Sequence, residues 1–187
     1  MLLNSNPNLL IMKKTLLIAV MICFTAFYGF SQDTKYGVRA GLNISNMDFE
    51  PDATFRNDHR NGLMIGFFGE FGLSKSVLLA PELQFSSEGG KADAIRLDYL
   101  QVPVYFKFKV GEKFHLGVGP QVGVKIHEYE DAIRNFAYSG VGGIEFKISH
   151  QLFVDARYTY GFSNALDDNQ AFEATNTNIQ FGFGFKF

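Results

Sequence analysis

The sequence predicts an all-β protein: an eight-stranded antiparallel up-and-down barrel that crosses a membrane, with short periplasmic turns and longer extracellular loops. Three observations predict it. Apolar and polar residues alternate in eight separate segments with a period of two, which places successive side chains on opposite faces of a strand. The connections between segments are alternately short and long, as in a meander whose tight turns all lie at one end. The composition is that of sheets and turns, with 21 Phe, 8 Tyr and 19 Gly but no Trp.

A segment of another kind comes first. Lys13 and Lys14 follow Met12, "TLLIAVMICFTAFYGF" is apolar, and Gly29-Phe30-Ser31 places small residues ahead of a cleavage point. Residues 1–31 are therefore expected to be a secretory signal peptide with Met12 as its start, and residues 32–187 the barrel domain. The apolar run is short for a spanning helix, which needs about 20 residues. Cys23, the single cysteine, falls in this segment behind Ile22, which is not the small residue that lipoprotein cleavage requires. The mature chain then has no thiol, hence no disulfide and no cysteine metal site. Loss of Lys13 and Lys14 with no acid takes the formal charge from −2 to −4.

The first alternating segment, "YGVRAGLNISN", sets Tyr36, Val38, Ala40, Leu42 and Ile44 on one face and Gly37, Arg39, Gly41, Asn43 and Ser45 on the other. The second, about 62 to 73, opposes Leu63, Ile65, Phe67 and Phe71 to Glu70. The third, about 77 to 86, opposes Val77, Leu79, Leu83 and Phe85 to Glu82 and Gln84. The fourth, about 97 to 110, carries Leu100, Val102, Val104, Phe106 and Phe108 against Gln101 and Lys107. The fifth, about 114 to 127, carries Phe114, Leu116, Val118, Val122, Val124 and Ile126 against Gln121 and Lys125. The sixth, about 136 to 148, sets Ile144, Phe146 and Ile148 against Glu145, and the seventh, about 151 to 163, sets Leu152, Val154, Tyr158, Tyr160 and Phe162 against Asp155 and Arg157. The eighth, about 177 to 187, alternates Phe181, Phe183, Phe185 and Phe187 with Gln180, Gly182, Gly184 and Lys186.

Ser74 to Ser76, Gly111 to Lys113, and Ser149 with His150 are hairpin connections. The connections Asn46 to Asn61, Ser87 to Arg96, Glu128 to Asn135 and Asn164 to Asn176 are longer and polar. Either face could be the inner one. A soluble ligand-carrying barrel turns its apolar face inward, whereas a membrane barrel turns it to lipid. Eight strands enclose room for side chains only, so the face crowded with Phe and Leu is expected outside and the glycine-thinned polar face inside. Val104 is expected to meet lipid and Tyr105 the interior. Aromatic residues near both strand ends, such as Tyr36, Phe108 and Phe114 at one and Phe136, Tyr138 and Tyr160 at the other, are placed as interfacial girdles.

The interior set is the candidate site: Arg39, Glu70, Glu82, Lys107, Lys125, Glu145, Asp155 and Arg157. With Lys109, Lys147 and Lys186 it counts seven bases against four acids. It reads either as ion pairs filling a narrow interior or as an anion-preferring path. Asp48, Glu50, Asp52 and Asp58, then Glu128, Glu130 and Asp131, then Asp167, Asp168 and Glu173 make the long-loop rim acidic, to hold divalent cations shared with lipid phosphates, to bind a partner, or only to keep the rim soluble. His59 beside Asp58 and His127 beside Glu128 lack any nucleophile or hydrolase motif such as Gly-x-Ser-x-Gly, and "GVGPQVG" has neither the spacing nor the helix of a phosphate loop. No enzyme, cofactor or metal site is expected, and no basic aromatic stripe advertises nucleic acid.

The runs "KYGVRAGLNISNM", "LLAPELQFSSEGGK", "LDYLQVPVYFKFKV", "FHLGVGPQVGV" and "QLFVDARYTYGFSN" resemble the PorT-like outer membrane β-barrel family common in Bacteroidota, often labelled a porin family. The resemblance implies an outer-membrane barrel and a functionally varied family, some of whose members serve secretion or gliding. A structural or surface-interaction role is expected, with outer-membrane lipid and an extracellular or secretion-system protein as partners; a narrow channel or secretion accessory is the alternative, and a soluble periplasmic lipid-binding barrel a third. Gln180, Gly182, Phe185 and Phe187 also resemble the C-terminal signal by which the barrel-assembly machinery recognises its clients.

Overall fold

The computed structural model describes residues 34–50, 58–91, 96–126, 135–162 and 173–187. Eight strands follow one another: β1 Lys35–Glu50, β2 Arg60–Gly72, β3 Val77–Gly89, β4 Arg96–Val110, β5 Phe114–Lys125, β6 Phe136–Lys147, β7 Leu152–Gly161 and β8 Glu173–Lys186. Each pairs antiparallel with the next, and β8 returns to β1 to close the barrel. Val38 pairs with Phe185, Ala40 with Phe183 and Ile44 with Ile179. Closure leaves no strand edge with unpaired backbone groups, the condition for crossing lipid with strands.

The period of two decides which side chains face which way. Leu63 and Leu42, 65% and 59% exposed, lie on the outer face, while Arg39 and Lys107, each 1% exposed, lie inside. Buried charge with exposed leucine inverts the usual arrangement of a water-soluble protein. It is the arrangement of a barrel whose outer face meets hydrocarbon. The outer rings touch one another: Tyr36 stacks on Phe67 with centroids 6.2 Å apart, and Phe114 lies 5.0 Å from Phe146.

Two of the short turns are built alike. In the β2–β3 turn the Ser74 hydroxyl accepts from the amides of Ser76 and Val77, and in the β6–β7 turn the Ser149 hydroxyl accepts from Gln151 and Leu152. The second turn spans 148–151, longer than the expected Ser149-His150 pair, because Leu152 closes it by accepting from the amides of both Ile148 and Ser149. Between β4 and β5, Gly111 takes a φ of 71°, the left-handed region that glycine enters without steric cost.

At the other rim the strands outlast the expected loops. β1 and β8 stay paired from Ser45 with Asn178 to Glu50 with Glu173, so Asn46–Glu50 and Glu173–Asn176 are strand rather than loop. β3 likewise runs on to Gly89. The hydrophobic pattern hides these extensions because it changes face. Up to Ile44 the outer face is apolar, but beyond it Asp48 points out while Met47 points in, fully buried against Leu97, Tyr99 and Ala174. The apolar band on β1 runs from Tyr36 to Ile44, matching the roughly 9 to 11 residues of a tilted strand in a bilayer. Past that band β1 is polar outside and apolar inside. The expected signal peptide, His127 and the acids Asp52, Glu128, Glu130, Asp131, Asp167 and Asp168 lie outside the described residues.

Candidate functional site

Inward residues at one height come from alternate strands, because closing a barrel staggers neighbouring strands. The layer nearest the short turns shows this directly. Glu70 on β2, Lys107 on β4, Glu145 on β6 and Lys186 on β8 converge on the axis. Lys107 Nζ lies 2.6 Å from Glu70 Oε1 and 2.6 Å from Glu145 Oε2. Lys186 Nζ lies 2.9 Å from Glu70 Oε1 and 2.7 Å from Glu145 Oε1. Two cations and two anions balance, and each cation touches both acids. His115 sits beside this layer, with Nδ1 3.6 Å from Glu145 Oε1 and neither ring nitrogen hydrogen-bonded.

Above it lie two aromatic rings, Phe68 of β2 and Phe153 of β7, edge to face at 5.7 Å. Lys107 Nζ is 5.2 Å from the first centroid and Lys186 Nζ is 4.6 Å from the second, so the ammonium groups meet ring faces as well as carboxylates. The rings fit because glycine faces them. A Cβ added to Gly37 would collide with the Phe68 ring, one at Gly184 with the Phe153 ring, and one at Gly117 with the Tyr105 ring. Interior glycine therefore makes sockets for large side chains rather than merely thinning the polar face. That refines the expectation that bulky residues fit outside, since Phe68 and Phe153 join Tyr105 in the interior.

The middle layer pairs Arg39 and Arg157 with Glu82 and Asp155. Arg39 grips Asp155 with two donors, Nε to Oδ2 at 2.7 Å and Nη2 to Oδ1 at 2.8 Å. Arg157 on β7 spans the barrel to Glu82 on β3, Nη1 donating to Oε2 at 2.8 Å. Its guanidinium carbon lies 4.7 Å from the Tyr105 ring centroid. Gln180 and Gln84 also accept from Arg39. This layer too sums to zero charge. Buried ions are tolerated only when paired and hydrogen-bonded, and both layers meet that condition.

The third layer, toward the long loops, holds one acid. Glu88 on β3, 1% exposed, accepts from Ser86 Oγ, Gln101 Nε2 and Asn178 Nδ2 at Oε1 and from Asn176 Nδ2 at Oε2. The plug of Met47, Leu97, Tyr99 and Ala174 completes this end.

Seven of the eight interior residues expected from sequence lie in the two balanced layers. Lys125 does not: it is half-buried at the long-loop end of β5, in register with Tyr99. Lys109 is exposed and Lys147 half-buried near the short turns, so the apparent excess of bases belongs to the rims. Glu88, Phe68 and Phe153 were not anticipated. The even-numbered polar run Glu82, Gln84, Ser86 carries the signal for Glu88, and the adjacent large apolar residues Phe67-Phe68 and Leu152-Phe153, which break the alternation, carry it for the rings.

Near the C terminus, Gln180 and Gly182 point inward, and Phe185 and Phe187 outward. The Phe187 amide donates to Tyr36 O at 2.9 Å, and its ring lies 6.4 Å from Phe67 and 6.5 Å from Phe185.

Residues 30–167 match the family described as outer membrane protein beta-barrel domain. No curated protein matches the chain. Among solved structures, Neisserial surface protein A aligns with a TM-score of 0.59 at 9% identity, over 83% of this chain and 100% of its own. Ail, the attachment invasion locus protein of Yersinia pestis, aligns with a TM-score of 0.52 at 15% identity, over 83% of this chain and 100% of its own. These likenesses concern the fold: a closed eight-stranded antiparallel barrel of the transmembrane kind.

Proposed function

Because the chain belongs to the family of outer membrane protein beta-barrel domains, we propose that it is a non-enzymatic integral barrel whose interior is closed and whose interactions take place at the rim of long loops. The observation that carries this reading is the cross-bracing of opposite walls. Arg157 of β7 reaches Glu82 of β3, half a barrel away. Lys107 and Lys186, on the opposite strands β4 and β8, share Glu70 and Glu145 of β2 and β6, so that each of these lysine pairs ties strands two apart and the four together link opposite walls. A solute passing down the axis would have to break two balanced, desolvated layers. With lipid outside and ions locked inside, the surface left for recognition is the loop rim. An extracellular or secretion-system protein is the partner this reading expects there.

The resemblance of the quoted runs to PorT-like proteins supports reading the chain as a PorT-like member of the family, with the short turns in the periplasm and residues 1–31 as the cleaved signal that delivers it. Catalysis is disfavoured because, among the described residues, His115, buried in the barrel interior, has Glu145 beside it but no hydroxyl or thiol hydrogen-bonded to either ring nitrogen. Reconstitution into planar lipid bilayers tests the reading. The expected record is a flat baseline at moderate voltage, and steady porin-sized steps would overturn it.

A further inference from the structure

Glu88 stands apart from every other acid of the interior. Glu70, Glu82, Glu145 and Asp155 each touch lysine or arginine, whereas Glu88 makes no ion pair among the described residues. Arg60, the nearby cation, is engaged elsewhere: Nη1 donates to the Glu88 backbone carbonyl at 2.8 Å and Nη2 pairs with Asp98 at 3.2 Å. The donors around the Glu88 carboxylate are all neutral. They are also unevenly spread, with three on Oε1 and one on Oε2, which leaves Oε2 room to accept more.

Beside it is a cavity of about 20 Å³, lined by Glu88, Tyr99, Gln101, Ser139, Thr159 and Asn176 among others and extending to the long-loop end of β6 at Phe136 and Tyr138. That volume accommodates one water-sized particle. Thr159, 3% exposed, lines this cavity, and its Oγ1 has no hydrogen-bond partner. Asn178, in register with Thr159, gives its Nδ2 to Glu88 and leaves Oδ1 unpartnered while 1% exposed. A free lone pair of the Glu88 carboxylate and the Thr159 hydroxyl oxygen, both desolvated, put two hard oxygen donors on the wall of a space of one-ion size, with the Asn178 amide on the neighbouring strand.

We propose that Glu88 and Thr159, with Asn178 holding the Glu88 carboxylate beside them, form a binding site for a single monovalent cation of the sodium class. Charge selects the valence. The two deeper layers are neutral, and one cation with one charge makes the third neutral too. A divalent ion would leave an uncompensated positive charge in a buried site with a single carboxylate, where calcium sites recruit several. The ion would fasten the upper ends of β3, β7 and β8 to one another at the level where the wall passes from lipid to water.

The test is thermal unfolding of the full barrel in detergent micelles, followed by β-sheet circular dichroism, in sodium chloride against choline chloride at equal ionic strength. Sodium is expected to raise the midpoint by about 3 °C or more, as for a ligand that binds the folded state alone. Glu88→Gln is expected to abolish the difference. Thr159→Val, which removes only an unpartnered oxygen, is expected to reduce it to below about 1 °C, and it serves as the readout if the first variant does not assemble. Equal midpoints in the two salts would overturn the proposal, as would a sodium effect that survives Thr159→Val. A rise with calcium but none with sodium would overturn the monovalent assignment.

Discussion

Lys107 and Lys186 stand on opposite walls of the barrel and hold the same two carboxylates, Glu70 and Glu145, at distances from 2.6 to 2.9 Å. Each lysine is the other's repulsive neighbour, and the shared acids make that proximity tolerable. Removing one cation leaves two buried carboxylates with one partner. Lys107→Met is therefore expected to lower the unfolding free energy by about 3–5 kcal/mol, measured by urea unfolding in lipid vesicles. Adding Glu145→Gln to it should recover part of the loss. A single variant within about 0.5 kcal/mol of the parent would mean that water, not the quartet, solvates these charges.

Gly184 faces the Phe153 ring so closely that an added Cβ has no room. Gly184→Ala is expected to cost about 1–3 kcal/mol through overpacking, with Phe153→Leu in the same chain returning some of it. Gly142 is the control, since a Cβ there has its nearest atom at 3.8 Å. Gly142→Ala should stay within about 0.5 kcal/mol. Equal costs at the two positions would refute the socket.

Phe187 closes the β1–β8 seam through its amide and packs its ring on Phe67 and Phe185. If Gln180, Gly182, Phe185 and Phe187 also signal to the assembly machinery, deleting Phe187 should lower the amount assembled in the outer membrane and leave precursor in the periplasm. Phe183→Leu, on the same outer face, should assemble nearly as well as the parent. Immunoblots of outer-membrane and periplasmic fractions compare them, and equal yields for the two variants would leave lipid contact as the whole role of these rings.

The barrel was legible because the period of two survives in every strand, and because the pairing of Phe185 with Val38 follows once eight strands must close. Which inward residues meet was not legible. Lys107 reaches Glu145, 38 residues away, only because the stagger of neighbouring strands brings them level, and stagger leaves no mark on the alternation itself. Glu88 and Met47 were hidden for a different reason. They lie where the wall leaves the lipid band, so the outer face turns polar and a strand takes on the composition of a loop. The sockets at Gly37, Gly117 and Gly184 were half legible: their glycines were plain, but the rings they seat lie on neighbouring strands.

The sealed interior and the free rim both require that the apolar face meet lipid and the charged face lie inside. Val104 and Tyr105 are adjacent on β4 and point to opposite sides, Tyr105 buried at 3% exposure. Single-cysteine variants at the two positions, in a chain that also carries Cys23→Ser, can be reacted in membranes with a lipid-phase thiol label. Labelling at position 104 and protection at 105 is the predicted result, and Val104→Arg should in parallel cost about 2–4 kcal/mol if it lies near mid-bilayer. Labelling at 105 with protection at 104 would contradict the account, because it would exchange the inside of the barrel for its outside.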